Sequence, residues 1–148
     1  MRVEEVMSRE VEFIAPDASV KEAAELMGEL EVGAVPVGEA ATPQGVLTDR
    51  DILYRVVAEG RDPVATRVRE VMSSPLIACG AGDTVRAALD LMAAHHVRRL
   101  AVRDAGGEGG RVVGWVTLSD LARRLLLDSE ALQGALRGIT EEAAPAPA

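Results

Sequence analysis

Aromatic side chains are the scarcest material in this sequence, since its 148 residues include one Phe, one Tyr and one Trp. Hydrophobic residues nevertheless make up 48% of the chain, so a core can form and must consist of aliphatic side chains. The length is typical of one compact domain, or of two small halves that share a core.

Cysteine and histidine are also rare, which limits disulfide and metal chemistry. The single cysteine, Cys79, cannot form an internal disulfide, and no Cys/His spacing resembles a zinc site. The adjacent His95 and His96 would point in different directions at a helix end, and such pairs rarely chelate one ion. We therefore predict no metal site and interpret Cys79 as a small buried apolar residue.

Basic residues are outnumbered by acidic ones, 16 to 24, which gives a net charge of −8. This balance argues against broad binding to nucleic acid or to anionic membranes. No apolar run is long enough to cross a bilayer, and the first residues show no signal-peptide pattern. These features favour a cytoplasmic protein.

One short motif occurs twice and organises the rest of the chain. Residues 45–51 read Gly-Val-Leu-Thr-Asp-Arg-Asp, and residues 114–120 read Gly-Trp-Val-Thr-Leu-Ser-Asp. Each copy predicts a short apolar strand that ends at a threonine and continues directly into a helix. The Thr-x-x-Asp spacing is that of a capping box, in which each side chain binds the backbone N–H of the other residue.

The flanking residues repeat as well. At an offset of 65 residues, the run Val-Met-Ser at 6–8 recurs at 71–73, and Leu-Met at 26–27 recurs at 91–92. The offset becomes 69 at the two glycine-led motifs, because four extra residues lie in the glycine-rich loop 104–111. The repeat predicts two β-α-β-β-α units in an α/β fold, related by a pseudo-twofold axis and packed sheet to sheet.

These patterns also predict boundaries along the chain. The first repeat covers residues 1–59, a linker 60–69, and the second repeat 70–127. A C-terminal helix is expected at 128–139, and an Ala/Pro-rich disordered tail at 140–148.

Individual elements of the first repeat follow from local signals. Residues 11–14 alternate like a strand, and Ser19 with Glu22 forms a capping box that begins a helix. The expected inner face of that helix consists of Val20, Ala23, Ala24, Met27 and Leu30. The helix after Asp49 is expected to turn Ile52, Leu53, Val56 and Val57 inward.

Taken together, these blocks resemble a tandem pair of CBS domains, often called a Bateman module, over residues 3–127. The resemblance rests on the Val-Met-Ser openings, the apolar blocks at 32–37 and 96–102, and Gly-x-x-Thr-x-x-Asp at the close of each repeat. Residues 48–52 and 59–63 are similar to small stand-alone bacterial members, including the hypoxic-response type. Ala101 departs from the pattern, because the family usually has proline there.

The resemblance implies a regulatory module that is not an enzyme. Family members bind adenosine-type ligands such as AMP, ADP, ATP or S-adenosylmethionine in the cleft between repeats, and require no other cofactor. Two modules commonly associate into a disc-shaped homodimer. The effector protein that would receive the signal is unknown.

The strand-to-helix corners supply the expected polar contacts to such a ligand. Asp51 and Asp120 could hold ribose hydroxyls, since a carboxylate accepts two hydrogen bonds, and Thr48 and Thr117 would add hydroxyls beside the sugar or phosphate. The alternative is a purely structural role, in which both Thr-Asp pairs only cap their helices. A cap can also orient the same carboxylate toward a ligand, so the two roles are compatible.

Adenine requires an apolar slot, and phosphate requires positive charge. By resemblance, the slot walls are Phe13, Ile14, Ala15, Val35 and Pro36 in the first repeat, and Ile77, Ala78, Cys79, Leu100 and Ala101 in the second. The candidate phosphate ligands are Arg50, Arg98 and Arg99. Because Gly33 stands where the second repeat has Arg98, we expect two unequal sites, with Arg98 and Arg99 serving the site at Asp120.

Other functions remain open at this point. A ligand-free structural dimerisation module is one alternative, favoured by Ala101 and by the mismatch of Gly33 with Arg98. A nucleic-acid-binding regulator is opposed by the net charge. A hydrolase or transferase has the least support, because no nucleophile–base pair stands out.

Overall fold

The order helix, strand, strand, helix occurs in both halves of the chain, as the repeat predicts, and the second half has one further strand before it. The computed structural model describes residues 1–104, 109–130, 134–135 and 137–138. The predicted tail at 140–148 and residues 131–133, 136 and 139 of the predicted C-terminal helix lie outside these residues. The elements are α1 Val20–Leu30, β1 Ala34–Gly38, β2 Pro43–Thr48, α2 Asp49–Ile52 with a π-helical turn Leu53–Val57, α3 Val68–Val71, β3 Ala78–Gly80, α4 Val85–His95, β4 Arg99–Arg103, β5 Val112–Thr117 and α5 Leu118–Leu127, preceded by a 3-10 turn at Val3–Glu5.

The strands form one small sheet in each repeat, which confirms the α/β fold class. β1 and β2 pair antiparallel, and in the second sheet β4 pairs antiparallel with β5 and parallel with β3. In both antiparallel pairs the last residue of the later strand, Thr48 or Thr117, lies opposite the first residue of the earlier one. Each threonine therefore stands at the edge where its sheet passes into a helix.

The strand predicted at residues 11–14 is wrong, because the structure has only a single parallel bridge between Ile14 and Val37. In the second repeat, the Ala101 N–H donates to the Ile77 carbonyl at 3.0 Å and extends β3. The equivalent of Ala101 is Pro36, which has no N–H to donate. The departure of Ala101 from the family pattern therefore lengthens a strand.

The capping box that begins α1 is confirmed. The Ser19 hydroxyl accepts the Glu22 N–H at 3.1 Å, and the Glu22 carboxylate accepts the Ser19 N–H at 3.2 Å. Thr84 caps α4 with only the first of these bonds, accepting the Ala87 N–H at 3.0 Å, because Ala87 has no polar side chain to return one.

The predicted inner faces of two helices are too wide. Val20, Ala23 and Met27 of α1 are buried, but Ala24 and Leu30 are exposed. After Asp49, Val56 is 1% exposed and Ile52 is half-buried, whereas Leu53 and Val57 are 51% and 64% exposed. Each helix covers a small sheet, so only a narrow stripe at i, i+3 and i+4 spacing is buried.

The first residues of each repeat pack in the hydrophobic core of the other repeat. Val3 is fully buried among residues of the second repeat, with Val6 and Met7 packed beside it. Conversely, Val68 and Val71 of α3 are buried in the core of the first repeat. Each half of the chain therefore completes the core of the other half, while the boundaries given above stay a prediction.

Isolated backbone bridges show that this exchange is reciprocal. Arg2 bridges to Thr84, and the equivalent Arg67 bridges to Ser19. In a second related pair, Ser8 bridges to Trp115 and Ser73 bridges to Val46. The pseudo-twofold relation inferred from the sequence is thus present in the backbone contacts. Within the described residues, no helix is both long and apolar enough to cross a membrane.

Candidate functional site

Both strand-to-helix corners are closed by complete capping boxes, as predicted. Thr48 Oγ1 accepts the Asp51 N–H at 3.1 Å, and Asp51 Oδ2 accepts the Thr48 N–H at 2.9 Å. At the second corner, the same two bonds join Thr117 and Asp120, both at 3.1 Å. In each threonine the hydroxyl oxygen accepts, so its proton remains available for a further hydrogen bond.

The two aspartates differ in their burial and in the number of groups that contact their carboxylates. Asp51 is 7% exposed, and its Oδ1 accepts a hydrogen bond from the Ser73 hydroxyl at 3.0 Å and lies 3.7 Å from Arg55 Nη1. Asp120 is half-buried, and within the described residues its carboxylate accepts only the Thr117 N–H. Asp120 therefore keeps one carboxylate oxygen available to a ligand, whereas both oxygens of Asp51 are already engaged.

Two clefts flank these corners. The Thr48 cleft, about 550 Å³, contains Thr48, Asp49, Arg50, Ile77, Arg98 and Arg99 among its lining residues. The Thr117 cleft, about 690 Å³, contains Glu10, Glu12, Val35, Pro36, Thr117 and Asp120 among its lining residues. Both volumes suit a small-molecule ligand.

Each cleft joins the corner of one repeat to wall residues of the other. Val35 and Pro36, predicted as walls of a first-repeat site, face the Thr117 corner of the second repeat. Ile77, predicted as a second-repeat wall, faces the Thr48 corner of the first. The sequence identified these wall residues but not which corner each of them faces.

The remaining predicted residues do not line these two clefts, although Asp51 is hydrogen-bonded to Thr48 and Ser73, which line the Thr48 cleft. Phe13 lines a separate groove with Arg9 and Arg111. The others belong to the strands and their surroundings and line neither cleft: Ile14, Ala15, Asp51, Ala78, Cys79, Leu100 and Ala101. Leu100 and Ala101 are fully buried and contribute to packing.

The expected pairing of Arg98 with the site at Asp120 is wrong. Arg98 lines the Thr48 cleft, whereas Arg99 lines both clefts. Arg98 directly precedes β4 and Arg99 begins it, so both come from the second repeat. The cations of the second repeat are therefore directed mainly toward the corner of the first.

The two clefts have opposite charge. Arg50, Arg98 and Arg99 line the Thr48 cleft together with His95 and His96, against one carboxylate, Asp49. The Thr117 cleft has three carboxylates, those of Glu10, Glu12 and Asp120, and Arg99 is the only cation among its described lining residues. The expectation of two unequal clefts agrees with this contrast.

The glutamates were not predicted as site residues, and the histidines were not assigned to a nucleotide-binding cleft. The 65-residue offset carried the signal, because it pairs Glu12 with Ile77, Leu30 with His95, and Gly33 with Arg98. These pairs line equivalent positions of the two clefts.

Cys79 is buried and free, as predicted. Burial raises the pKa of its thiol to about 11, and the nearby Asp83 carboxylate adds to the shift. The thiol is therefore protonated at neutral pH and is a poor nucleophile or metal ligand. Among the residues that the structure describes, no three His, Cys, Asp or Glu side chains are grouped to hold a metal ion.

The model of the CBS domain family matches residues 3–58 and 68–127, so the chain belongs to the CBS domain family. The CBS domain-containing protein YhcV of Bacillus subtilis is 39% identical over 140 residues, which cover 95% of this chain and 96% of that protein. Hypoxic response protein 1 of Mycobacterium tuberculosis is 32% identical over 122 residues, 82% of each chain.

Solved structures show the same fold. The crystal structure of hypoxic response protein I, with two coordinated zinc ions, matches with a TM-score of 0.71 at 31% identity and covers 83% of this chain and 98% of that one. A putative signal-transduction protein with CBS domains from Burkholderia ambifaria matches with a TM-score of 0.74 at 28% identity, covering 83% and 88%. The resemblance to the stand-alone bacterial type is confirmed.

Proposed function

We propose that this CBS-domain regulatory module binds an adenosine-type ligand such as AMP, ADP or ATP, with the phosphate in the Thr48 cleft. The observation that carries the proposal is the meeting of three arginines, Arg50, Arg98 and Arg99, around a cleft whose corner presents the Thr48 hydroxyl. Guanidinium groups bind phosphate through paired N–H donors, and a concave site strengthens the attraction by excluding water.

The Thr48 cleft also offers surfaces for the rest of the nucleotide. Val46, Leu76, Ile77 and Val97 provide apolar walls against which a base can pack. The Thr48 hydroxyl can donate to a sugar or phosphate oxygen while its oxygen remains in the capping box. This role is binding, without chemistry on the ligand, and no further cofactor is required.

The module could sense the ligand because both repeats contribute residues to the Thr48 cleft. Thr48 and Arg50 come from the first repeat, and Arg98 and Ile77 come from the second. A ligand that contacts both repeats favours the arrangement in which they stand at the right separation, by its difference in affinity for the alternatives. An effector protein could then recognise that arrangement.

Isothermal titration with AMP, ATP and S-adenosylmethionine tests this function. We expect AMP to bind wild type, and Arg98→Ala to weaken binding by about 10- to 100-fold, the worth of a charged hydrogen bond. Arg86→Ala is the matched control, because Arg86 is a highly exposed arginine of the adjacent helix α4, paired with Asp90. If no ligand binds at millimolar concentration, the module has a purely structural role. A melting temperature that does not change when nucleotides are added would lead to the same conclusion.

We also propose that a second copy of this chain covers the exposed apolar side chains of the π-helical turn after α2 and of α5. Leu53, Tyr54 and Val57 are 51%, 62% and 64% exposed, and Leu126, the equivalent of Val57, is 38% exposed. Large exposed apolar side chains on the last helical segment of both repeats suit a self-complementary interface, although only Val57 and Leu126 occupy equivalent positions. A structurally similar CBS-CP12 protein from cyanobacteria is hexameric, which is consistent with association of such modules.

Sedimentation velocity distinguishes this interface from ordinary surface exposure. Val57→Glu is expected to convert a dimer into a monomer, because a buried unpaired carboxylate is costly. Val64→Glu changes an equally exposed valine, 63% against 64%, in the segment between the repeats, and should leave the dimer intact. A wild-type monomer, or a Val57→Glu dimer of unchanged strength, would contradict the proposal.

A further inference from the structure

Arg99 is common to both clefts, whereas Arg98 beside it lines only the Thr48 cleft. Arg99 is the first residue of β4 and lies opposite Thr117 across the strand pair. Trp115, on β5, also lines both clefts. These two side chains form part of the wall that separates one cleft from the other.

Gly33 provides the space that Arg99 occupies. A Cβ atom at Gly33 would lie 3.1 Å from Asp49 Oδ2 and 3.3 Å from Arg99 Nη2. The guanidinium of the second repeat therefore lies against the backbone of the first repeat, beside the Asp49 carboxylate. Any larger side chain at position 33 would have to displace one of these charged groups.

The pseudo-twofold relation does not supply a second such arginine. The equivalent of Arg99 in the first repeat is Ala34, and the equivalent of Arg98 is Gly33. Without Arg99, the charged groups lining the Thr117 cleft within the described residues are the carboxylates of Glu10, Glu12 and Asp120. A phosphate in that cleft would therefore depend on Arg99 alone.

We infer that Arg99 is a specificity-determining residue that the two clefts share, so that an anionic ligand in one cleft weakens anionic binding in the other. The inference rests on the proposed nucleotide function. A phosphate in the Thr48 cleft draws the guanidinium to that side and leaves the carboxylates of the Thr117 cleft without a cation among its described lining residues. By linkage the effect is reciprocal, since each occupant lowers the affinity for the other by the same factor.

This arrangement distinguishes ligands by charge. AMP should bind tightly once per chain, and its second binding step should be at least about tenfold weaker, because a guanidinium–phosphate contact is lost. Adenosine has no phosphate to compete for Arg99, so its binding to one cleft should not depend on this arginine. The clefts would then respond independently to uncharged nucleosides and antagonistically to nucleotides.

Calorimetric titration of the full chain with AMP, and separately with adenosine, tests the inference. Wild type should give one tight AMP site per chain and a second step at least about tenfold weaker. Arg99→Ala should weaken the tight AMP step and bring it closer to the second step, which already lacks this arginine, and should leave any adenosine binding unchanged. Arg98→Ala should weaken only the tight step, because Arg98 lines a single cleft.

Fluorescence of Trp115, the only tryptophan of the chain, reports in the same samples whether each variant keeps the native wall between the clefts. Arg99→Lys keeps the charge on a shorter donor and should restore part of the tight step. Two equal and independent AMP sites in wild type, or an Arg99→Ala variant with both steps unaltered, would overturn the inference while leaving nucleotide binding intact. Absence of any AMP binding would instead reject the proposed function itself.

Discussion

Asp51 and Asp120 illustrate how identical motifs acquire different roles from their surroundings. Both cap a helix through a threonine three residues earlier. Ser73 donates to Asp51, but the equivalent Ser8 is exposed and makes no such bond to Asp120. The sequence predicted the two caps, yet it could not predict this difference, because Ser73 reaches Asp51 only through the exchange of segments between the repeats.

Replacement of Asp51 should therefore cost more stability than replacement of Asp120. Asp120→Ala removes the reciprocal half of a capping box, the hydrogen bond from the Thr117 N–H, worth about 1 kcal/mol. Asp51→Ala also leaves the partly buried Ser73 hydroxyl without its acceptor, so we expect a loss of about 2–3 kcal/mol. Urea unfolding of both variants measures the difference, and equal losses would show that the additional contacts of Asp51 contribute nothing.

Cys79 predicts a specific dependence of stability on alkaline pH. Its folded-state pKa is raised from the ordinary 9.0 to about 11, chiefly by burial. Above pH 9 the unfolded chain loses the thiol proton while the folded chain retains it, so the free energy of unfolding falls as pH rises from 9 to 11. The full contribution of the thiol is present below pH 9.

The comparison of wild type with Cys79→Ala isolates this effect, because all other titrating groups are shared. Wild type should lose on the order of 2 kcal/mol more than the variant between pH 9 and 11. Parallel curves of unfolding free energy against pH would contradict the account. At neutral pH we expect the folded protein to react slowly with iodoacetamide and the unfolded protein to react fast.

At the scale of elements, glycine permits the close crossing of β2 and β5 by the exchanged segments. A Cβ at Gly45 would lie 2.5 Å from the backbone carbonyl oxygen of Ser73. At Gly114 the nearest atom belongs to the flexible side chain of Met7, and the equivalent carbonyl oxygen, that of Ser8, is 3.0 Å away. The sequence showed that both glycines recur. It did not show why, since the crossing segment lies about 30 residues away in one case and more than 100 in the other.

Gly45→Ala should destabilise the protein more than Gly114→Ala. A methyl group against a backbone oxygen forces the strands apart, at a cost of about 1–3 kcal/mol, whereas a methionine can move aside. Gly28→Ala is the control, because nothing lies within 4 Å of that position in helix α1 and alanine should stabilise the helix by up to about 1 kcal/mol. Thermal unfolding ranks the three variants, and a Gly45→Ala protein as stable as wild type would contradict this packing.

Local elements were predictable where the signal was local. The capping boxes at Ser19, Thr48 and Thr117 occur where predicted, because both partners of each box lie three residues apart. The absence of a strand at 11–14 was not predictable from those residues. The ladder hydrogen bond that is missing there would have come from position 36 on another strand, where Pro36 has no N–H. Exposure of Leu53 and Val57 likewise depends on the width of the sheet below them.

At the scale of the whole molecule, the repeat and the family could be read from the sequence, but the assembly of the clefts could not. The offset pairs equivalent positions within the repeats, whereas each cleft joins non-equivalent ones, such as Thr48 with Ile77 and Thr117 with Pro36. The two sites were expected to be unequal because Gly33 replaces Arg98 in the first repeat. That inequality is present, but Arg98 had been assigned to the wrong cleft. The charged residues do not follow the pseudo-twofold symmetry: among the lining residues, most arginines belong to one cleft and most carboxylates to the other.

A crystal structure of the protein grown with AMP tests the central claim most directly. The account predicts density for AMP in the Thr48 cleft, with phosphate oxygens about 3 Å from the guanidinium nitrogens of Arg98 or Arg99. AMP phosphate in the Thr117 cleft with the Thr48 cleft empty, or no AMP on the protein at millimolar concentration, would contradict it.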